Sequence, residues 1–353
     1  MTMETRPQAE PLQEPLTPQE SRLRAALRNP TTATFAALLI IIAAFSLLAP
    51  GQFTQGGNFI QLAQNVAILT VVSVGTTFVI ITAGVDLSIP SGIVLGEVFA
   101  VHALQLISVG NGETAVDVAA EQTGPLYILV ALAGALLAGL IIGAINGVVV
   151  AYLRVPPLLA TLGTLGAGLG VALIMQNGVN TATYALDPVG HGQWIPGVPN
   201  LIPIALLVVA GGYVLLHKAV FGRHTFAIGS NPEAARRAGI NVERHLVKVY
   251  IIGGTAAGFA GFLSLAYFST TSIAGHSTDN LQAITAVALG GTSLFGGIGS
   301  ILGTLIGVWI PAVLKNGFVI IGVQPYWQDV AVGFVLIAAV WFDQLRRRSR
   351  DRG

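Results

Sequence analysis

The chain has 353 residues, of which 53% are hydrophobic and 9% charged, with a formal net charge of +1 and no cysteine. Soluble domains carry about 25% charged residues, so a water-facing globule is excluded, and the missing thiols exclude disulfides and thiolate metal sites. The 43 glycines suit close helix–helix contact in a bilayer.

Residues 1–30 are polar and rich in Pro, Gln and Glu, with a short basic amphipathic stretch, "SRLRAALRNP". No apolar core followed by a small-residue cleavage site opens them, so they read as a cytoplasmic tail and not a signal peptide. Residues 31–342 then form one spanning domain, and 343–353 a basic cytoplasmic tail. Spanning takes about 20 apolar residues. Ten segments qualify, near 31–50, 61–83, 89–108, 125–152, 157–176, 201–217, 247–268, 280–297, 298–315 and 326–342. The fifth and eighth are rich in Gly and Thr and read as broken or re-entrant helices, tolerated where backbone is buried in protein or lines a cavity. The expected fold is an all-α polytopic membrane protein of about ten spans, with both termini cytoplasmic.

The basic residues support that topology. With the N-terminus inside, Arg6, Arg22, Arg24, Arg28, Arg154, Lys218, Arg223, Arg236, Arg237, Arg244, Lys248 and the five arginines after 345 all fall inside; only Lys315 falls outside. The expected outer loops at 109–124, 177–200 and 269–279 hold no Lys or Arg. A faint echo links "AILTVVSVGTTF" at 67–78 to "AITAVALGGTSLF" at 283–295. It reads either as an internal repeat or as two helices packing through small residues.

In "VIITAGVDLSIPSGIVLG", residues 79–96, Asp86 lies between two apolar runs. An Asp at a helix centre costs about 2.5–3.5 kcal/mol on insertion scales, so it does not face lipid. Gly84, Ser88, Pro90, Ser91 and Gly92 around it predict a joint whose carboxylate caps the next helix, with Pro90 in its first turn. Direct substrate contact by Asp86 is the sharper alternative. Asn65, Thr82, Ser88, Asn146, Thr161, Thr164, Thr292 and Ser293 are further candidates for the path or its gate. Such neutral donors and acceptors suit an uncharged polyhydroxylated solute, or simply interhelical hydrogen bonds. Glu97 and His102 both ionise, but a spacing of five does not place them on one helical face.

The loop at 218–248 carries six of the seventeen basic residues. Within it "SNPEAARRAGI" predicts a charged surface helix of about two turns: Ser230 or Asn231 as cap, Pro232 first, Glu233 in the first turn, Gly239 past the end. Resting on lipid headgroups, with Arg236 and Arg237 on phosphates, is the plain reading of such a helix. No motor is visible. None of the three lysines follows a Gly, as a phosphate-binding loop requires. The six histidines lack HxxxH spacing, and no GxSxG elbow is present. The expectation is a transport subunit and not an enzyme, without a metal or a cofactor of its own.

Several stretches resemble the membrane-spanning permease subunits of bacterial ABC importers for monosaccharides, the ribose/xylose type. They include "TTFVIITAGVDLS", "GAINGVVVAYLRVPPLLATLGTLGAGLGVAL", "FGRHTFAIGSNPEAARRAGINV", "AVALGGTSLFGGIGSILGTLIGV" and "LKNGFVIIGVQPYWQDVAVGFVLIAAV", spread over 35–343. The resemblance implies a pentose or related sugar as cargo in the bacterial cytoplasmic membrane. It implies three partners: a cytoplasmic ATPase that binds ATP and Mg, an extracytoplasmic sugar-binding protein, and a second permease, identical or a sister chain. Nucleic acid is not among them. It also implies that Asn231, Pro232, Glu233, Ala234, Ala235, Arg236, Arg237 and Gly239 form the coupling helix seated on the ATPase. Pro90 stands where the family usually has Gly, and in "HSTDNLQ" Asn280 and Gln282 hold the places of the acidic residues usual before "AITAVALGG", with Asp279 displaced. The segment 103–124 looks longer than usual. A branched-chain amino-acid permease of the related type and an ion-coupled secondary transporter are the competing functions. The lack of buried ionisable pairs speaks against the second.

Overall fold

The structure is a computed structural model that describes residues 30–109, 124–324 and separate positions between 326 and 341. The N-terminal tail to residue 29, the stretch 110–123, the C-terminal tail from 343 and part of the tenth expected span lie outside the described residues.

Regular structure among the described residues is helical, apart from two isolated β-bridges. Long apolar runs adopt helices because lipid offers backbone N–H and C=O groups no partner. In chain order they are α1 (Pro30–Leu48), α2 (Gly56–Ile81), α3 (Ile89–Val109), α4 (Pro125–Ala151), α5 (Pro157–Met175) and the short α6 (Asp187–Gly190). Then come α7 (Leu201–Tyr213), prolonged by a π-helical turn at Val214–Lys218, α8 (Val220–Ser230), α9 (Pro232–Arg237), α10 (Val242–Phe268), α11 (Asp279–Leu289) and α12 (Ile301–Ile320). Pro125, Pro157 and Pro232 open their helices, where a missing N–H costs nothing.

Seven of these, with α7 counted together with its π-helical turn, are long and apolar enough to cross a membrane, against ten expected spans. The first expected span is represented by a shorter apolar helix, Thr34–Leu48, and the tenth falls on partly described residues. The eighth is helical for only 11 residues, in α11. Beyond Leu289 the chain leaves the helix through Gly290 and Gly291, which has φ +86°, and resumes at Ser300, whose Oγ caps α12. The fifth departs from expectation in the opposite way. Helix α5 is unbroken over 19 residues, and Gly163, Gly166 and Gly170 face open space instead of loosening it. The echo also fails structurally: Gly75-Thr76-Thr77 lies inside α2, whereas Gly291-Thr292-Ser293 lies in the turn after α11.

Helix α10 is the axis of the bundle and packs on α2, α3 and α4. Its seam with the antiparallel α4 is glycine on both sides. A Cβ on Gly139 would sit 2.3 Å from the Gly254 carbonyl oxygen, and one on Gly258 2.3 Å from that of Ala135. No other residue permits backbones this close, so the seam is held by van der Waals contact rather than by interlocked side chains. Helices α2 and α10 are mostly buried, whereas α5 and α7 turn Leu158, Leu159, Leu162, Leu206 and Leu207 outward. Apolar surface of this extent is compatible with lipid and not with water.

Candidate functional site

The interruption between α2 and α3 is built locally. Thr82 Oγ1 donates to the Val79 carbonyl at 2.8 Å, closing the end of α2. Ala83 takes φ +60°, and Gly84 N–H returns to the Val79 carbonyl. The backbone is irregular until Ser88, whose carbonyl accepts the Gly92 N–H as the first bond of α3. Asp86 Oδ1 accepts both the Ser88 N–H at 2.8 Å and the Ser88 hydroxyl at 2.6 Å. The carboxylate therefore fixes the residue that precedes the helix, through a two-residue turn, and does not bind the N–H groups of α3 itself.

A directed chain of hydrogen bonds extends from there. Asn146 Nδ2, on α4, donates to Ser88 Oγ at 2.7 Å. Thr164 Oγ1, on α5, donates to Asn146 Oδ1 at 2.7 Å. Ser91 Oγ donates to the Ser88 carbonyl at 2.8 Å and lies 3.3 Å from that of Thr164. Thr161 Oγ1 and the Tyr250 hydroxyl both approach the Val85 carbonyl at 3.5 Å. Asp86, Ser88, Asn146 and Thr161 are buried. The structure thus brings together Asp86, Ser88, Asn146, Thr161 and Thr164 from three separate sequence regions.

The other candidates lie elsewhere. Asn65 lines a cavity at the far end of α2. Thr82 serves the α2 terminus. Thr292 and Ser293 sit in the turn after α11, where the Thr292 hydroxyl is buried with no hydrogen-bond partner among the described residues.

The basic loop is three elements and not one helix. Helix α8 docks first: a Cβ on Gly229 would lie 1.7 Å from the Ile81 carbonyl oxygen, which also accepts the Gly297 N–H at 2.9 Å. The last turn of α2, the end of α8 and the 296–297 turn therefore meet at one point. Helix α9 projects beyond it. Of the two caps expected, Asn231 holds the place, its Oδ1 accepting the Ala234 N–H at 3.0 Å. Eight residues later Gly239 takes φ +84° and ends the element. Ala235 alone is buried, against Ile228 and Val242, while Asn231, Pro232, Glu233, Ala234, Arg236 and Arg237 are exposed. Glu233 pairs with Arg236 at 3.3 Å and Arg237 at 3.4 Å, and Arg236 reaches Glu243 at the start of α10. The carboxylate sits in the first turn and the guanidiniums in the last, as the helix dipole favours.

One cluster was not legible in the sequence, and it corrects the expectation that buried ionisable pairs are lacking. Glu97, fully buried on α3, accepts the Ser272 N–H at 2.7 Å and lies 3.0 Å from His276 Nε2. His276 Nδ1 contacts Asp279 Oδ2 at 2.7 Å. His102, nearer in sequence to Glu97, instead meets its own helix at the Val98 carbonyl. An acid in an apolar run was the available signal; its partner lay in a loop beyond α10.

The sequence that builds this bundle is similar to those of known proteins. The sequence profile of the family described as "Branched-chain amino acid transport system / permease component" matches residues 58–340. The chain belongs to this family. The permease is 36% identical over 316 residues to a ribose import permease protein of Escherichia coli K12, covering 88% of this chain and 92% of that one. It is 32% identical over 321 residues to a galactose/methyl galactoside import permease protein of Haemophilus influenzae, covering 88% and 93%. A xylose transport system permease protein of Escherichia coli K12 is 30% identical over 376 residues, covering 89% and 91%. No solved structure matches the permease at a significant level.

Proposed function

We propose that the permease is the membrane subunit of an ATP-driven importer and forms the path for a monosaccharide, a pentose or related sugar. The observation that carries this reading is its similarity, along nearly the full length of both chains, to import permeases for ribose, galactose and xylose. The family description names branched-chain amino acids, and that is the second reading. The neutral hydroxyls and amides gathered around Ser88 and Asn146 favour the sugar.

Its place is the bacterial cytoplasmic membrane, with ten spans and both termini in the cytoplasm. The distribution of charge supports this orientation. Lys218, Arg223, Arg236, Arg237, Arg244 and Lys248 cluster at the α9 end of α10, and Arg154 lies close enough to act on Glu243. The α11 segment and its following turn make up the broken eighth span.

Three partners complete the transporter: a cytoplasmic ATPase that carries ATP and Mg, an extracytoplasmic binding protein that delivers the sugar, and a second permease. The residues from Asn231 to Gly239 seat on the ATPase. Closure of the ATPase would move α9 and, through α8, the junction at Ile81 and Gly297, five residues from Asp86. ATP binding then biases a two-state path.

Reconstitution of the permease with an ATPase and a binding protein encoded beside it, followed by uptake of labelled ribose, xylose, galactose and leucine, tests the reading. ATP-dependent sugar uptake is expected. Accumulation without the ATPase, or of leucine alone, overturns it. Because the chain has no cysteine, single cysteines at Ala238 and Ser277 read the orientation with an impermeant maleimide: reaction of Ala238→Cys from outside would reverse it.

A further inference from the structure

At the opposite end of α10 from α9, about 40 Å away for a helix of this length, lies a cavity of about 390 Å³ between α2, α11, α12 and the loop after α10. Small-ligand pockets fall in the range of about 300–1,000 Å³. Leu62, Ile68, Leu69 and Val72 make one apolar wall, and the exposed ring of Phe268 contributes to another. Asn65, His276, Asp279, Gln282, Lys315 and Asn316 supply the polar groups.

Two features mark it as more than a packing gap. Lys315 is an ammonium on the membrane-capable helix α12, and no ion pair to it exists among the described residues. Asp279 is held by its other oxygen: Oδ2 engages His276, itself anchored on the buried Glu97, while Oδ1 has no partner among the described residues. The amide nitrogens are also anchored, Asn65 Nδ2 on the Gln61 carbonyl at 3.1 Å and Gln282 Nε2 on Thr278 Oγ1 at 3.1 Å. Their carbonyl oxygens have no protein partner among the described residues. An anion would meet Asp279, and a cation would meet Lys315; a neutral solute carrying many hydroxyls satisfies both, as does a zwitterion, and the sugar-importer reading selects the hydroxylated solute. Such a solute accepts from Lys315, donates to Asp279 and to both amide oxygens, and lays its C–H face on Phe268.

We propose that this cavity is a monosaccharide-holding vestibule within one permease chain, in which Lys315 donates to sugar hydroxyls and Asp279 accepts from them. It rests on the sugar-importer reading and places a second sugar contact on residues outside the Asp86 network, which Asn280, next to Asp279, touches at the Leu87 carbonyl.

The test uses the full permease in lipid nanodiscs, with single cysteines at Asn65 or Gln282 inside the cavity and at Ala238 as a distant control. Maleimide labelling is followed with D-ribose, D-xylose, D-galactose or L-leucine present. At a sugar concentration twice Kd, occupancy slows labelling about threefold, by the factor 1 + [L]/Kd. Slowing by a sugar at both cavity positions and not at Ala238, lost in Lys315→Met, is the expected result. The Lys315→Met chain should keep the elution volume and melting temperature of the parent, so its loss of sugar protection is not a folding defect. No protection by any sugar, in a preparation that imports sugar with its partners, overturns the vestibule alone. Protection by leucine only, with no sugar uptake, overturns the importer reading as well.

Discussion

His276 Nε2 lies 3.0 Å from Glu97 Oε1, tying a loop to a helix 179 residues earlier in the chain. Ser264 on α10 and Asp279 at the start of α11 contact the same imidazole. One ring therefore joins α3, α10 and α11 at a single buried point.

Burial opposes a charged ring there, but hydrogen bonds to Asp279 and Glu97, with the charges of both, raise the His276 pKa to about 10. An unfolded histidine titrates near about 6.5. The stabilisation is thus complete below that pH and is lost as pH climbs through the folded value. Thermal unfolding in detergent should show a midpoint that falls as the medium is made alkaline across this window. His276→Ala should cost about 3–5 kcal/mol, because it leaves a buried carboxylate unpaired. It should also flatten the alkaline decline, and an unchanged pH profile in this variant would refute the assignment.

Asp86 orders the joint between α2 and α3 by holding Ser88. Asp86→Ala strands the Ser88 N–H and should cost about 1–3 kcal/mol. Folded yield by fluorescence-detected chromatography should drop, while the ratio of ribose to xylose uptake stays constant. A changed ratio at normal yield would assign Asp86 to the solute instead.

Replacing Glu233 with Ala removes the acid shared by Arg236 and Arg237 without touching the buried Ala235. Gly239→Val strains a residue at φ +84°, by roughly 1–2 kcal/mol for the left-handed region. Both variants should insert normally and bind sugar at the cavity. In the reconstituted transporter they should uncouple ATP hydrolysis from uptake. Full coupling in both would remove α9 from the ATPase contact.

The seam between α4 and α10 is sensitive to a single carbon. A Cβ on Gly143 would lie 2.4 Å from the Tyr250 carbonyl oxygen and 2.8 Å from the Ile251 Cα. Gly143→Ala should therefore destabilise by about 1–3 kcal/mol, the usual cost of overpacking. Gly163→Ala, on α5 where nothing lies within 4 Å, should be neutral or slightly stabilising. Equal melting temperatures for the two would contradict the packing described.

Hydropathy, charge and short-range capping rules made much of the permease readable from its sequence alone. Sparse charge and long apolar runs require lipid as solvent, and lipid requires helices, because each backbone group must find its partner within its own segment. Asn231, Pro232 and Gly239 specify α9 for the same local reason: their backbone preferences act within a few residues. The joint at Asp86 was legible because Gly84, Ser88 and Pro90 interrupt a helix wherever they occur together. Tertiary structure decided what depends on contacts between distant segments. Glycine-rich α5 proved continuous and α11 short, since a glycine loosens, seams or merely faces lipid according to what packs against it. Composition marked Glu97 as unusual, yet only the fold could bring His276 to it from beyond α10. The same holds for Lys315 and Asp279: electrostatic and hydrogen-bonding partners are set by distance in space, and hydrophobic pattern along the chain carries no record of that distance.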